Sequence, residues 1–430
     1  MAEQFKERRE RVLRAIEPGA LVLFSAPVAL RNNDVEHEYR QDSDFYYLTG
    51  FDEPESVLVL KSTAPHFVLF VRPRNPERET WDGPRAGIEG ATRDFGADAA
   101  YPVGELDERL PDLLGSLPRL FYRVGAEPAA DAHVHRTLAA MRRRGRLGVE
   151  WPTSLVEPDV VLHEMRLKKD ARELELMREA AAITAEAHLE LMRVTRAGMY
   201  EYELEGLLRR AFRARGAERP AYSPIVGSGP NATILHHRRN DRRIEPGDLV
   251  LVDAGCEYGY YASDVTRTYP ADKRFTPAQR DVYEVVLDSQ LAAIEKTRVG
   301  ATLDEVHRAA LEVIVDGLIR LGLIEGPGDA ALADGRYKRF YMHRTSHWLG
   351  MDVHDVGRYF KDGAPRKLEE GMVLTVEPGI YVSPDADVEP RFRGIGIRIE
   401  DDVLVSAEGP VVISEAVPKT VDEVERACAG

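Results

Sequence analysis

The stretch LVLVDAGCEYGYYASDVTRT, residues 249–268, runs four apolar residues, Leu249 to Val252, straight into an acid, Asp253, and places a second acid, Asp264, in equally apolar surroundings. A turn at Tyr258-Gly259 makes this a hairpin and sets Asp253 directly opposite Asp264. Directly opposed residues hold their Cβ atoms about 4.5–5.5 Å apart on one face. A buried carboxylate without a partner is costly, so two acids this close share either a proton or cations.

The chain around this hairpin repeats its own order. Asp170 and Glu173 are spaced as a capping box before the helical segment 173–194, and a second helix follows over 200–217. After the hairpin, Thr276-Pro277 is an N-cap followed by proline at the first helical position. Thr302 and Glu305 form another capping box, and two apolar strands then carry Glu377 and Glu400. Each half therefore reads helix, helix, acid-bearing strand pair. We expect a duplicated α+β domain whose acids meet at a pseudo-twofold axis. Ahead of it, ALVLFSA, SVLVLKS, HFVLFVR and RLFYRV read as strands of a smaller α/β domain. The expected division is 1–167 and 168–430.

Four converging carboxylates need cations. At an effective dielectric of about 20, two like charges about 5 Å apart repel by roughly 3 kcal/mol, and several such pairs exceed what a marginally stable fold tolerates. Two divalent ions would cancel the charge of Asp253, Asp264, Glu377 and Glu400. The segment HRTSHWLGMDVHDVG adds His343, His347 and His354. Oxygen donors with one imidazole favour Mn²⁺, with Co²⁺ or Zn²⁺ as alternatives. A hydroxide bridging the ions is the expected nucleophile, since a bound cation lowers the pKa of water. No G-x-S-x-G elbow is present, which argues against a serine hydrolase. The glycine-rich GSGPNA, 227–232, fits no phosphate-loop pattern and reads as a turn.

The net charge of -15 argues against a nucleic-acid footprint. The basic run Arg142 to Arg146 reads as a solvated helix end. Two cysteines, Cys256 and Cys428, give no disulfide framework and point to a reducing cytoplasm. No apolar run is long enough to cross a bilayer, and the charged N-terminus lacks the apolar core of a signal peptide.

Taken together, HRTSHWLGMDVHD, VLVDAGCEYGYYASDVTRT, VLTVEPGIY and GIRIEDDVLV resemble the proline-specific metallopeptidases of the pita-bread fold. EYRQDSDFYYLTGFDEPESVLVL resembles the amino domain of the Xaa-Pro aminopeptidases. The resemblance runs from about residue 8 to about 415. It implies the metal ligands Asp253, Asp264, His347, Glu377 and Glu400, with Asp264 and Glu400 bridging. It implies Glu377 as proton shuttle, His354 as stabiliser of the scissile carbonyl and His343 as a substrate-orienting group. His236 matches a histidine of the proline pocket, whereas His237 matches nothing. Arg398 and Tyr381 look like groups that hold ligand carboxylates and substrate. Trp81 resembles an aromatic that reaches an active site across a subunit contact. Arg344 departs from the family, where many relatives have glycine, and bears on substrate preference.

The implied activity is release of the first residue from peptides with proline second, by a homo-oligomer (dimer or tetramer). A bond preceding proline is a tertiary amide without an N–H, and a dedicated site suits it. Two alternatives remain at this stage. One is a prolidase acting on Xaa-Pro dipeptides. The other is a non-enzymatic pita-bread protein binding peptides or histones, against which the complete set of five ligands speaks.

Overall fold

The computed structural model describes residues 2–430, and its contacts divide the chain between Glu164 and Met165. That point and residue 167 both fall in one helix, Asp159–Leu167.

In the amino-terminal unit the four apolar runs form strands of a six-stranded sheet. Its spatial order is Ala99–Pro102, Phe67–Val71, Val57–Lys61, Ala20–Phe24, Arg119–Phe121, Ser154–Val156. The three middle strands of this order that carry the longest apolar runs pair antiparallel, and the remaining pairings are parallel. Val57–Lys61 and Phe67–Val71 are buried along their whole length, as strands covered on both faces should be. Val59, Phe70 and Leu120 pack with Leu110, Leu138 and Met141 of the flanking helices. The strands Ala99–Pro102 and Ser154–Val156 carry little apolar pattern and were not legible. The basic run begins in the last turn of the helix Pro128–Arg143.

In the second unit, α1 (Ala171–Val194) starts at the Asp170–Glu173 capping box, with both reciprocal bonds at 2.9 Å. The second helix, α2, is Glu201–Ala214. After the first strand group come α3 (Pro277–Lys296), capped by Thr276, and α4 (Leu303–Arg320), capped by Thr302 with Glu305. The strands are β1 (Ile225–Ser228), β2 (Leu249–Asp253), β3 (Cys256–Tyr258), β4 (Tyr261–Ala262) and β5 (Thr266–Pro270) in the first half. The second half supplies β6 (Val373–Val376), β7 (Gly379–Tyr381), β8 (Gly396–Arg398), β9 (Asp401–Ser406) and β10 (Gly409–Val412). Sheets of order β1-β2-β5 and β6-β9-β10 recur, each accompanied by a smaller sheet, β4 and β3 with the strand Arg219–Pro220 in the first half and β7 with β8 in the second. Helix, helix, strand pairs therefore repeats as the sequence indicates.

The hairpin register differs from the expected one. Tyr258 pairs with Tyr261, so the turn is Gly259-Tyr260, both with positive φ (57° and 70°). Asp253 consequently faces Thr266, not Asp264. The error is a slip of two residues, which preserves the face of every side chain, so Asp264 still lies diagonally beside Asp253. In the second half, Val376 faces Asp401 and Gly379 faces Arg398, which puts Glu377 opposite Glu400.

All four acids sit where a strand pair breaks into two segments. Asp253 ends β2, Asp264 precedes β5, Glu377 separates β6 from β7, and Glu400 separates β8 from β9. At the first break Gly255 runs so close to the partner strand that a Cβ there would lie 1.8 Å from Ser263 O. The halves are joined along β5: Glu400 N donates to Thr266 O at 3.1 Å, Arg267 Nη1 to Glu400 O at 2.7 Å, and Thr268 Oγ1 to Arg398 O at 3.0 Å. Arg267, fully buried, also pairs with Asp401 at 2.8 Å. Its charge outweighs burial and, with Lys419, holds the Asp401 carboxyl far below the carboxylate range.

Candidate active site

The four acids line one cavity of about 740 Å³ together with His236, His343, His347, His354 and Arg398. A cavity of this size with a few convergent polar groups is the usual form of a small-molecule or peptide site.

Asp253 and Asp264 meet at Tyr222. Its Oη lies 2.6 Å from Asp253 Oδ1 and 2.5 Å from Asp264 Oδ1. One phenolic proton cannot satisfy two carboxylate oxygens, so this corner needs a further proton or a cation. Arg398 Nη2 donates to Asp253 Oδ2 at 2.5 Å, Nη1 to Tyr381 Oη at 3.0 Å and Nε to Thr266 Oγ1 at 3.1 Å. Thr266 in turn donates to Glu400 Oε2 at 2.6 Å. The Asp264 backbone N–H is held by both oxygens of Asp402, each at 3.2 Å.

His347 directs Nδ1 at its neighbour's carbonyl, Trp348 O, 3.0 Å away. Nε2 is thereby left facing Asp264 Oδ2 at 3.4 Å and Glu377 Oε1 at 3.6 Å. An imidazole oriented by a backbone carbonyl on one nitrogen is the usual arrangement of a metal-ligating histidine. Ligand atoms of Asp264, His347 and Glu400 all lie within 4.8 Å of one another. His343 Nε2 is 2.9 Å from Tyr381 Oη, and the rings of His347 and His354 stand edge to face at 4.4 Å.

Burial and the mutual repulsion of the acids govern the protonation of these groups. Burial, and then the neighbouring acids, push Glu400 well above the carboxylate range, with Arg398 only partly opposing. Burial likewise raises Asp253, against the pull of Arg398. Glu377 is pushed up to about 7 by burial, despite His347 and Arg398. Burial would lower His347, but its bond to Asp264 and the charge of Glu377 win and push it up to about 9. Four carboxylates and one imidazole facing one cavity are a donor set for hard or borderline divalent cations, so the residues fit the expected metals.

Of the other expected residues, His236 and His354 are exposed on the cavity wall, and Tyr381 is buried behind it, its Oη bonded to His343 and Arg398. Arg344 lies on the wall, paired with Asp304. His237 points elsewhere: it is buried and lies 2.9 Å from Glu201 Oε2. Trp81 belongs to the amino-terminal unit and is 85% exposed. Tyr222, Thr266 and Asp402 were not picked out from sequence. Tyr222 stands in no motif, 31 residues before Asp253. Asp402 left a trace, because in Glu400-Asp401-Asp402 the first and third residues share a face.

Residues 175–407 match metallopeptidase family M24, and residues 5–121 match the aminopeptidase P N-terminal domain. The chain is 43% identical to the Xaa-Pro aminopeptidase of Escherichia coli K12 over 427 residues, spanning 98% of this chain and 97% of that one. Among solved structures it matches Pseudomonas aeruginosa aminopeptidase PepP, with a TM-score of 0.98 and 49% identity over 100% of this chain and 98% of the other. It also matches zinc-substituted E. coli aminopeptidase P in complex with product, at a TM-score of 0.97, 43% identity and the same coverage. With both family models matched and a relative 43% identical over 98% of this chain, the chain belongs to metallopeptidase family M24 and carries the aminopeptidase P amino-terminal domain ahead of the peptidase unit.

Proposed function

We propose that this protein is a metal-dependent Xaa-Pro aminopeptidase, which hydrolyses the bond between the first residue of a peptide and a proline in second position. The observation that carries the reading is the convergence of Asp253, Asp264, Glu377, Glu400 and His347 on one cavity, with the Arg398 guanidinium bonded to Asp253. The near-full-length likeness to Xaa-Pro aminopeptidases supports the same substrate class.

Asp253, Asp264, His347, Glu377 and Glu400 would hold two divalent ions, with Mn²⁺ favoured by the oxygen-rich donors. Bound there, the ions supply polarisation of the scissile carbonyl and acidify a water molecule. Glu377 is the residue suited to move protons, taking one from the attacking water and delivering it to the departing proline nitrogen. Its position on the cavity wall, and a carboxyl that burial brings up to about 7, support that role. His354, exposed beside His347, is placed to donate to the carbonyl oxygen as it gains charge. His343, bonded to Tyr381, orients the substrate, and Tyr381 with Arg398 fixes the Asp253 carboxylate. His236 lines the side expected to take the proline ring. The acidic floor attracts the substrate's α-amine, which is why such a site selects an N-terminus.

We further assign the protein to a reducing compartment, the cytoplasm, which its two free, buried cysteines support. Among the described residues no helix is long and apolar enough to cross a membrane. We assign it a homo-oligomeric state in which the amino-terminal unit, with the exposed Trp81, serves assembly and substrate access.

The test is metal-stripped protein reconstituted with Mn²⁺ and assayed on a tripeptide Xaa-Pro-Yaa and the dipeptide Xaa-Pro. Preference for the tripeptide by at least about tenfold in kcat/KM is expected. Preference for the dipeptide would make the protein a prolidase. Cleavage of neither, with Mn²⁺, Co²⁺ and Zn²⁺ each supplied, would reject a peptidase function.

A further inference from the structure

The cavity is electrically polarised along its depth. Its floor is made of buried acids, Asp253 at 8% exposure and Glu400 at 2%. Its mouth is marked by exposed lining residues, among them Arg238, Arg344, Asp304 and Phe360. Arg344 is paired with Asp304, so that pair adds no net charge to the rim. Arg238 differs. Among the described residues it makes no hydrogen bond or ion pair, although it lines the same cavity two residues after His236. The rim therefore carries one uncompensated guanidinium over an acidic floor.

A cavity of this volume is about 11 Å across if equidimensional, and three extended residues span about 10–11 Å. A peptide whose amine sits at the acidic floor and whose second residue is proline thus brings its third residue to the rim. Guanidinium is the side chain best matched to a carboxylate, which it grips with two parallel N–H bonds.

Resting on the aminopeptidase reading above, we propose that Arg238 is a specificity-determining residue that favours substrates carrying a carboxylate on the residue after proline. That carboxylate is either the C-terminal group of a tripeptide or the side chain of an acidic third residue. The enzyme then discriminates at both ends of a short peptide, by amine at the floor and by anion at the rim.

Three substrates separate the sources: Ala-Pro-Gly as the free acid, Ala-Pro-Gly amide, and Ala-Pro-Asp amide. In the Mn²⁺-loaded protein at low salt, kcat/KM for the free acid should exceed that for the glycine amide by about fivefold, mostly through KM. If an acidic side chain serves equally, Ala-Pro-Asp amide recovers the preference. In Arg238→Ala the ratio should fall to near one, and Arg238→Lys should keep part of it. Raising the salt should erode the ratio in the unmodified protein, because an exposed pair is screened. Equal kcat/KM for all three substrates, or a preference that survives Arg238→Ala, would overturn the proposal while leaving the aminopeptidase reading intact. No cleavage of any of the three would overturn both.

Discussion

Tyr222 Oη has one proton and lies within 2.6 Å of two carboxylate oxygens, one on Asp253 and one on Asp264. At the scale of single residues, then, the site is built around a shortage of positive charge. Removing one acid should remove the reason for the arrangement. Asp264→Ala is expected to lower kcat by at least ~10³-fold and to reduce bound Mn²⁺ measured by elemental analysis, with the far-UV circular dichroism unchanged. The same shortage gives the metal-free protein a defined pH dependence. The Glu377 carboxyl has an ordinary value of 4.5 and is pushed up to about 7 in the folded protein, chiefly by burial. Between those values the folded state binds a proton that the unfolded state has lost, so stability falls as pH rises through the window. Burial acts in the same direction on Asp253 and Glu400. Thermal unfolding of metal-stripped protein should thus drop by a few degrees from about pH 4.5 to about pH 7. The gap between stripped and Mn²⁺-loaded protein should widen over the same range. A flat Tm for the stripped protein would show that these acids are not the groups being charged.

At the scale of elements, what was legible from sequence was what local chemistry fixes. The capping boxes at Asp170 and Thr302 rest on residues three apart, and both helices start where they indicate. The acids were legible because charged groups in apolar strands stand out, whereas His347 was singled out from His343 and His354 only through the family resemblance. The hairpin register was not. A slip of two residues leaves every side chain on its face, so the alternation could not separate a turn at Tyr258-Gly259 from one at Gly259-Tyr260. Tyr260 accepts a φ of 70° that a tyrosine rarely takes, and only the surrounding structure selects it. Tyr222 was illegible for a different reason: a residue that meets the acids from a distant segment leaves no spacing to read. The strand breaks that aim the acids inward also make a prediction. Gly255→Ala would force a Cβ to within 1.8 Å of Ser263 O, which is backbone and cannot rotate away. We expect a loss of about 2–4 kcal/mol in denaturant unfolding, with reduced metal affinity. A variant with unchanged midpoint and activity would mean that the close approach of β2–β3 to its partner does not set the position of Asp253.

For the whole molecule, the amino-terminal unit brings an exposed Trp81 and little of the catalytic chemistry. If that unit serves assembly, sedimentation should give a mass of two or four chains. Trp81→Ala should then lower kcat/KM several-fold with Tm changed by less than about 1 °C, since the residue is 85% exposed in the single chain. Unaltered kinetics would remove Trp81 from the site. The duplicated unit carries a different consequence. Each half contributes one pair of acids, and the pairs are brought together along β5 by bonds from Thr266, Arg267 and Thr268 to the segment Arg398–Asp401. Two separate half-length chains bearing the same pairs would come apart on dilution and leave each with half a cradle. Joined in one chain, the second pair arrives by an intramolecular step at an effective concentration set by the connection. The cradle is therefore complete in every folded molecule, however scarce the protein becomes.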